Sequence, residues 1–183
     1  MTYFEFISVA ISLIFGFAVA DILRGLVPAM QVPARYWPQV GWLIATFLLI
    51  AQVWVSLWRM KEISWTGLVF VYAFVNPALT TFMSRLLVTP SPHSVSSFKD
   101  SFQEIRRPFF WCFFAFCINA FVFPWFVGHS EWGSVQAPQI GALFGMGVAI
   151  VGVVFKSERT QYFLVVLTLF ALATLTILLP APK

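Results

Sequence analysis

The sequence predicts an all-α integral membrane protein, a polytopic bundle of six transmembrane helices with one interfacial amphipathic helix. Three observations carry that prediction. Of 183 residues, 60% are apolar and only 10% are charged, against about a quarter charged in a soluble domain. Six stretches approach the ~20 apolar residues that a helix needs to cross a bilayer. These stretches are apolar on every side, whereas barrel strands alternate polar and apolar faces. Soluble enzymes, secreted disulfide scaffolds and disordered linkers are excluded by the same composition. The chain, 1–183, reads as a single transmembrane domain.

The spans are expected at about 4–27, 39–58, 65–85, 108–127, 137–155 and 160–179. The first ends at the proline-rich gap of Pro28, Pro33 and Pro38. The second ends at Arg59-Met60-Lys61-Glu62. A long gap follows the third, and within it a surface helix is expected over about 97–107. There Phe98, Phe102 and Ile105 recur at helical spacing, while Lys99, Asp100, Gln103, Glu104, Arg106 and Arg107 fill the other positions. Ser97 with Asp100 makes a capping pair, and the apolar side is expected to lie on the inner leaflet. Pro108 suits the first turn of helix 4. Gly128 to Gln136 separates helices 4 and 5, and Lys156-Ser157-Glu158-Arg159 turns the chain into helix 6.

Orientation follows from the basic residues. With the N-terminus outside, eight Lys or Arg fall inside and three outside. The positive-inside bias therefore puts both termini outside, in a bacterial inner (plasma) membrane. Ala18-Val19-Ala20 mimics a signal cleavage site, but no Lys or Arg precedes the apolar run, so helix 1 is expected to be retained. Trp42 and Trp58 bracket helix 2, and Trp111 and Trp125 bracket helix 4. Rings so placed favour the two headgroup belts. Each half holds three helices, a layout shared with inverted-repeat transporters, yet the halves share no residue-level similarity. The net charge of +4 sits at helix ends rather than in a patch, so no nucleic-acid partner is expected. Cys112 and Cys117 point about 140° apart on one helix and cannot bridge.

Helix 1 repeats small residues every four positions: Ser8, Ser12, Gly16 and Ala20. Helix 5 carries a second stripe of Gly141, Gly145 and Ala149. Small residues let helix backbones approach where lipid supplies no hydrophobic drive. Internal packing is the plainer use of both stripes, and contact with a second copy is the sharper one.

The candidate intramembrane polar site comprises Glu5, Asp21, Arg24, Asn76 and Asn119. Glu5, at the start of helix 1, suits the positive end of the helix dipole. Asp21 and Arg24 are spaced to pair, with Arg24 reaching the headgroups. Asn76-Pro77 interrupts helix 3 and frees a backbone carbonyl. Tyr72, Asn76 and Thr80 form a polar stripe there, while Asn119 offers an amide from helix 4. Such amides join helices or line a solute path. Gln52 carries lower weight. Ten aromatics between Phe109 and Phe126 would suit a flat lipophilic ligand, but no polar anchor is tied to them.

Nucleotide-loop, metalloprotease and nucleophile-elbow motifs are absent. His93, His129 and Glu131 do not add up to the three or four ligands of a metal site. No catalytic residue, metal or cofactor is expected, and the chain reads as a non-enzyme. The expected partners are the lipid bilayer and either further copies of the chain or another membrane protein. Two functions remain: a membrane subunit or homo-oligomeric scaffold, and a small channel or secondary transporter with a polar path through helices 1, 3 and 4.

Overall fold

The structure, a computed structural model, describes residues 2–31, 36–58, 61, 65–88, 98–126 and 137–178. Among them the chain forms six helices and no strand. These are α1 (Tyr3–Gln31), α2 (Trp37–Trp58), α3 (Gly67–Leu87), α4 (Phe98–Phe126), α5 (Ala137–Val154) and α6 (Glu158–Leu178). All but α5 are long and apolar enough to cross a membrane, and α5 contributes the shorter apolar run Gln139–Val154. Arg35, Arg59, His93, Ser97, His129, Glu131 and Lys183 lie outside the described residues.

Helix ends follow local chemistry. Thr2 and Glu5 form a reciprocal cap on α1: the Thr2 N–H donates to Glu5 Oε2 at 2.8 Å and the Glu5 N–H to Thr2 Oγ1 at 3.2 Å. This capping box satisfies two otherwise orphaned N–H groups. The Thr66 hydroxyl accepts from the Val69 N–H at the start of α3. Proline does not end helices at the expected boundaries. α1 continues through Pro28, and α4 through Pro108 and Pro124.

The expected surface helix is not separate. Residues 98–107 form the opening turns of α4. One buried line runs unbroken across Pro108, through Phe98, Phe102, Arg106, Phe109, Phe113 and Phe116. That continuous packing outweighs the single backbone bond which Pro108 removes. The apolar side of this segment faces the protein rather than a leaflet.

Successive helices alternate in direction. Thr81 meets the Ile14 carbonyl and Arg85 meets Asp21, so α1 and α3 run parallel. Gly145 lies against Cys117 and Gly152 against Phe110, so α4 and α5 run antiparallel. α6 follows α2, with Val165 beside Gly41 and Leu172 beside Gln52. Around the bundle α1 packs on α3, α3 on α4, α4 on α5, α5 on α6, α6 on α2 and α2 on α1, while α2 also touches α3. α2 is the most enclosed span.

The core gathers round Trp42, which is 1% exposed. Its ring meets Phe109, Phe110 and Phe113 with centroids 5.3, 5.1 and 5.9 Å away. Each such pair adds roughly 0.5–1.5 kcal/mol beyond area burial. Trp42 is thus a core residue, not a headgroup-belt residue, because α4 supplies the three phenyl rings that enclose it. Trp111 and Trp125 do face outward.

The two small-residue stripes part company. A Cβ at Gly145 would stand 2.6 Å from Cys117 Sγ, one at Gly141 would stand 2.8 Å from Leu175 Cδ1, and one at Gly152 would overlap the Phe110 ring. Ala149 is fully buried. The α5 stripe therefore sets the approach of α5 to α4 and α6. The α1 stripe does not pack inside the bundle along its length. Ser8 and Ser12 are half-buried, Gly16 and Ala20 are exposed, and nothing lies within 4 Å of a Cβ at Gly16. The buried face of α1 is instead Ile7, Ile11, Phe15, Ala18 and Ile22. Lipid-facing and protein-facing sides of a membrane helix are both apolar, so small size alone does not distinguish them.

Candidate functional site

Three polar groupings stand out, two at one end of the bundle and one near its middle. Arg24, Arg85, Lys99, Arg106, Arg107, Lys156 and Arg159 all fall at the end where α1, α3 and α5 finish and α2, α4 and α6 begin. Lys61 is the only other described Lys or Arg.

The first grouping joins α1 to α3. Asp21 accepts from Arg85 Nε at 3.2 Å and lies 3.8 Å from Arg24 Nη1. The carboxylate side chain is 15% exposed, whereas the Arg85 and Arg24 side chains are 69% and 76% exposed. The Asp21–Arg24 pairing is legible from spacing. Arg85 is not, because sequence alone does not reveal which helix lies beside α1. Glu5 sits at the far end of α1 in its capping box and does not join this cluster.

The second grouping is a clamp that α4 places on the α5–α6 turn. Arg106 is 1% exposed. Its Nη1 donates to the carbonyls of Gly152, Val153 (3.0 Å) and Phe155 (3.2 Å). The final carbonyls of a helix lack intrahelical donors and carry its negative partial charge, so a guanidinium there caps α5. Gln161 Nε2 donates to the same Phe155 carbonyl at 2.9 Å, and Gln103 Nε2 reaches the Lys156 carbonyl at 3.4 Å. Outside, Lys99 pairs with Glu158 at 3.0 Å. Arg106 is therefore not one of the polar positions of an amphipathic surface helix. Its spacing of four from Phe102 puts it on the apolar face, and a charge on that face is the signal the sequence offers.

Tyr36 leads into α2 beside this clamp, its ring 5.4 Å from Phe102. Burial pushes its phenol up to about 12, helped by the nearby negative charge of Glu158. The unfolded side chain ionises near 10. The contribution of Tyr36 to stability is therefore fully present below pH 10 and is lost as pH rises toward 12. Tyrosinate absorbance on titration should show one phenol silent until about pH 12, and Tyr36→Phe should remove that late step. A late step that survives in Tyr36→Phe would assign it elsewhere.

The third grouping lies on α3 and α4. Tyr72 stacks on Phe123 at 6.1 Å. One turn further along each antiparallel helix, Asn76 and Asn119 come to the same level. Asn119 is 6% exposed, and Asn76 Oδ1 is buried without a hydrogen-bond partner. α3 continues through Pro77 without the expected interruption, and the Thr80 and Thr81 hydroxyls both donate to the Pro77 carbonyl at 2.9 Å. Asp21 belongs to another level and is paired with Arg24 at the basic end, so the five candidate polar residues do not converge on one site.

Sequence reasoning missed Gln39 and Gln139 and gave Gln52 too little weight. Gln39 Nε2 on α2 donates to the Leu87 carbonyl of α3 at 2.8 Å. Gln52 Nε2 joins α2 to the Leu172 carbonyl of α6 at 2.9 Å. Gln139 Nε2 on α5 reaches the Phe121 carbonyl of α4 at 3.5 Å. Leaving a buried amide in an apolar helix without a partner is costly, but the partner's identity is a tertiary fact.

Between α4 and α5, Trp111, Phe114, Ile150, Val153 and Val154 line an outward groove of about 130 Å³. Trp111 and Phe114 belong to the aromatic wall noted in helix 4, and the lining offers no polar anchor. Both cysteines are free.

No family model, no curated protein and no solved structure matches this chain.

Proposed function

We propose that the protein is a multi-pass membrane subunit or homo-oligomeric scaffold without catalytic chemistry of its own. It crosses a bacterial inner membrane six times with both termini outside. The positive-inside rule supports this orientation, because the basic end then faces the cytoplasm. Glu5 and Arg24 are about 28 Å apart along α1 by helical rise, which suits a hydrocarbon core of about 30 Å.

The observation that carries the scaffold reading is the outward stripe of α1. Gly16 and Ala20 are exposed alongside the exposed side chains of Val9 and Leu13, with open space over Gly16. Around them the bundle uses its polar groups internally. Ser8, Ser12, Thr46, Ser56 and Thr174 donate to carbonyls of their own helices, and the glutamines join neighbouring helices. Aromatic rings fill the centre around Trp42.

Extraction into nanodiscs followed by native mass spectrometry tests this reading. The particle is expected to contain a second copy or a stoichiometric foreign subunit. Gly16→Leu is expected to dissociate it while leaving the monomer folded, and Ser12→Leu should act in the same direction. A wild-type particle that is monomeric with nothing attached would overturn the proposal.

The second reading, a channel or transporter, draws on the unpaired Asn76 Oδ1 beside the level of Asn119. It expects solute or proton flux in liposomes that Asn76→Leu abolishes without unfolding the protein. Flux indifferent to that change would remove these amides from any path.

A further inference from the structure

We infer that the Arg24–Asp21–Arg85 cluster is a binding site for the phosphate headgroup of an anionic phospholipid. Two guanidiniums, always charged, share one carboxylate, so the cluster keeps one excess positive charge. Asp21 engages Arg85 through Nε and Arg24 through one Nη. The other N–H groups of both side chains remain on an exposed surface. Arginine forks match phosphate oxygens in a two-point geometry, and the carboxylate fixes the two forks side by side from different helices.

The surroundings suit a lipid rather than a free anion. α1 and α3 run in the same direction here, so residues with lower numbers on both lie toward the middle of the bundle. On that side, two turns from Arg24, stands exposed Phe17. One turn from Arg85 stands Phe82, 62% exposed. An acyl chain descending from a phosphate on the two arginines would lie along Phe17 and Phe82, beside the small-residue stripe of α1 rather than on it. Basic surfaces between transmembrane helices on the cytoplasmic side are suited to anionic lipid headgroups. Asp21 then has two roles: it positions the arginines by accepting from Arg85, which an Asn amide oxygen would also do, and by its charge it limits how tightly the headgroup is held.

The test is retention of phosphatidylglycerol against phosphatidylcholine by the full-length protein in mixed nanodiscs. It is read by native mass spectrometry at physiological ionic strength. Wild type is expected to favour phosphatidylglycerol by about fivefold, the preference one net charge near the surface supplies. Arg24→Gln with Arg85→Gln is expected to abolish the preference. Arg159→Gln, an exposed charge at the same end but on α6, should leave it intact. Asp21→Asn keeps both arginines and removes their competitor, so retention should rise further. This last arm decides the question if the double variant fails to fold. The inference is overturned by three outcomes: no preference in wild type, an Arg159→Gln loss equal to that of the double variant, or unchanged or weaker retention in Asp21→Asn. Inorganic phosphate held equally well in pure phosphatidylcholine would assign the site to a free anion and overturn the lipid reading.

Discussion

Replacing Arg106 with Met is expected to destabilise the protein by about 3 kcal/mol, because a hydrogen bond to a charged donor contributes roughly 1.5–3 kcal/mol and losing it leaves a buried acceptor unpaired. Two opposing effects set this value. Removing a buried charge relieves its desolvation cost. Against that, the carbonyls of Gly152, Val153 and Phe155 all lose the guanidinium. Only Phe155 keeps a second donor, from Gln161. The loss to the acceptors dominates because these are helix-terminal carbonyls with no intrahelical partner. Lys is not an adequate replacement, since it is a compact ammonium with no planar fork. The comparison is Lys99→Met. It breaks a pair whose members are 52% and 43% exposed and should cost less than about 1 kcal/mol. Unfolding in detergent measures both, and amide exchange should rise at the α5–α6 turn in Arg106→Met alone. Equal stability of the two variants would show that Arg106 does not cap α5.

Gly152→Leu is expected to disrupt the α4–α5 contact, at a cost at or above the ~1–3 kcal/mol typical of overpacking. A Cβ at this position already overlaps the Phe110 ring. Phe110 cannot retreat freely, because it lies 5.1 Å from Trp42 and 5.3 Å from Phe109 by ring centroids. Gly145→Leu should behave similarly through Cys117. It therefore reports on folding and does not report on assembly. Gly147→Leu is the control: it lies on the same helix, is exposed, and has nothing within 4 Å of its Cβ. Thermal unfolding and sizing of the three variants decide the matter. A Gly147→Leu protein as unstable as Gly152→Leu would point to lost helix flexibility rather than packing.

These two sites show how unevenly the sequence speaks. Composition and run length identify the apolar helices, since a hydrocarbon solvent demands both. The alternation of spans is enough to gather Arg24, Arg85, Lys156 and Arg159 at one end. Local spacing pairs Asp21 with Arg24, and the Thr2–Glu5 capping box is equally local. The expected break at Pro108 does not occur, because a proline's effect depends on what packs around it. The buried line from Phe98 through Arg106 to Phe116 continues the helix across it.

What the sequence by itself determined is therefore the solvent, the helices and their charged ends. What only the tertiary structure decided is which face of each helix meets protein. It put Trp42 in the core, turned Gly145 inward and Gly16 outward, and gave Arg106 the end of α5 and Asp21 the side chain of Arg85. The reason is physical. In water, burial separates polar from apolar faces and leaves a periodic trace in the sequence. In lipid both faces are apolar, and the choice between them rests on shape, close approach and the few hydrogen bonds that cross between helices.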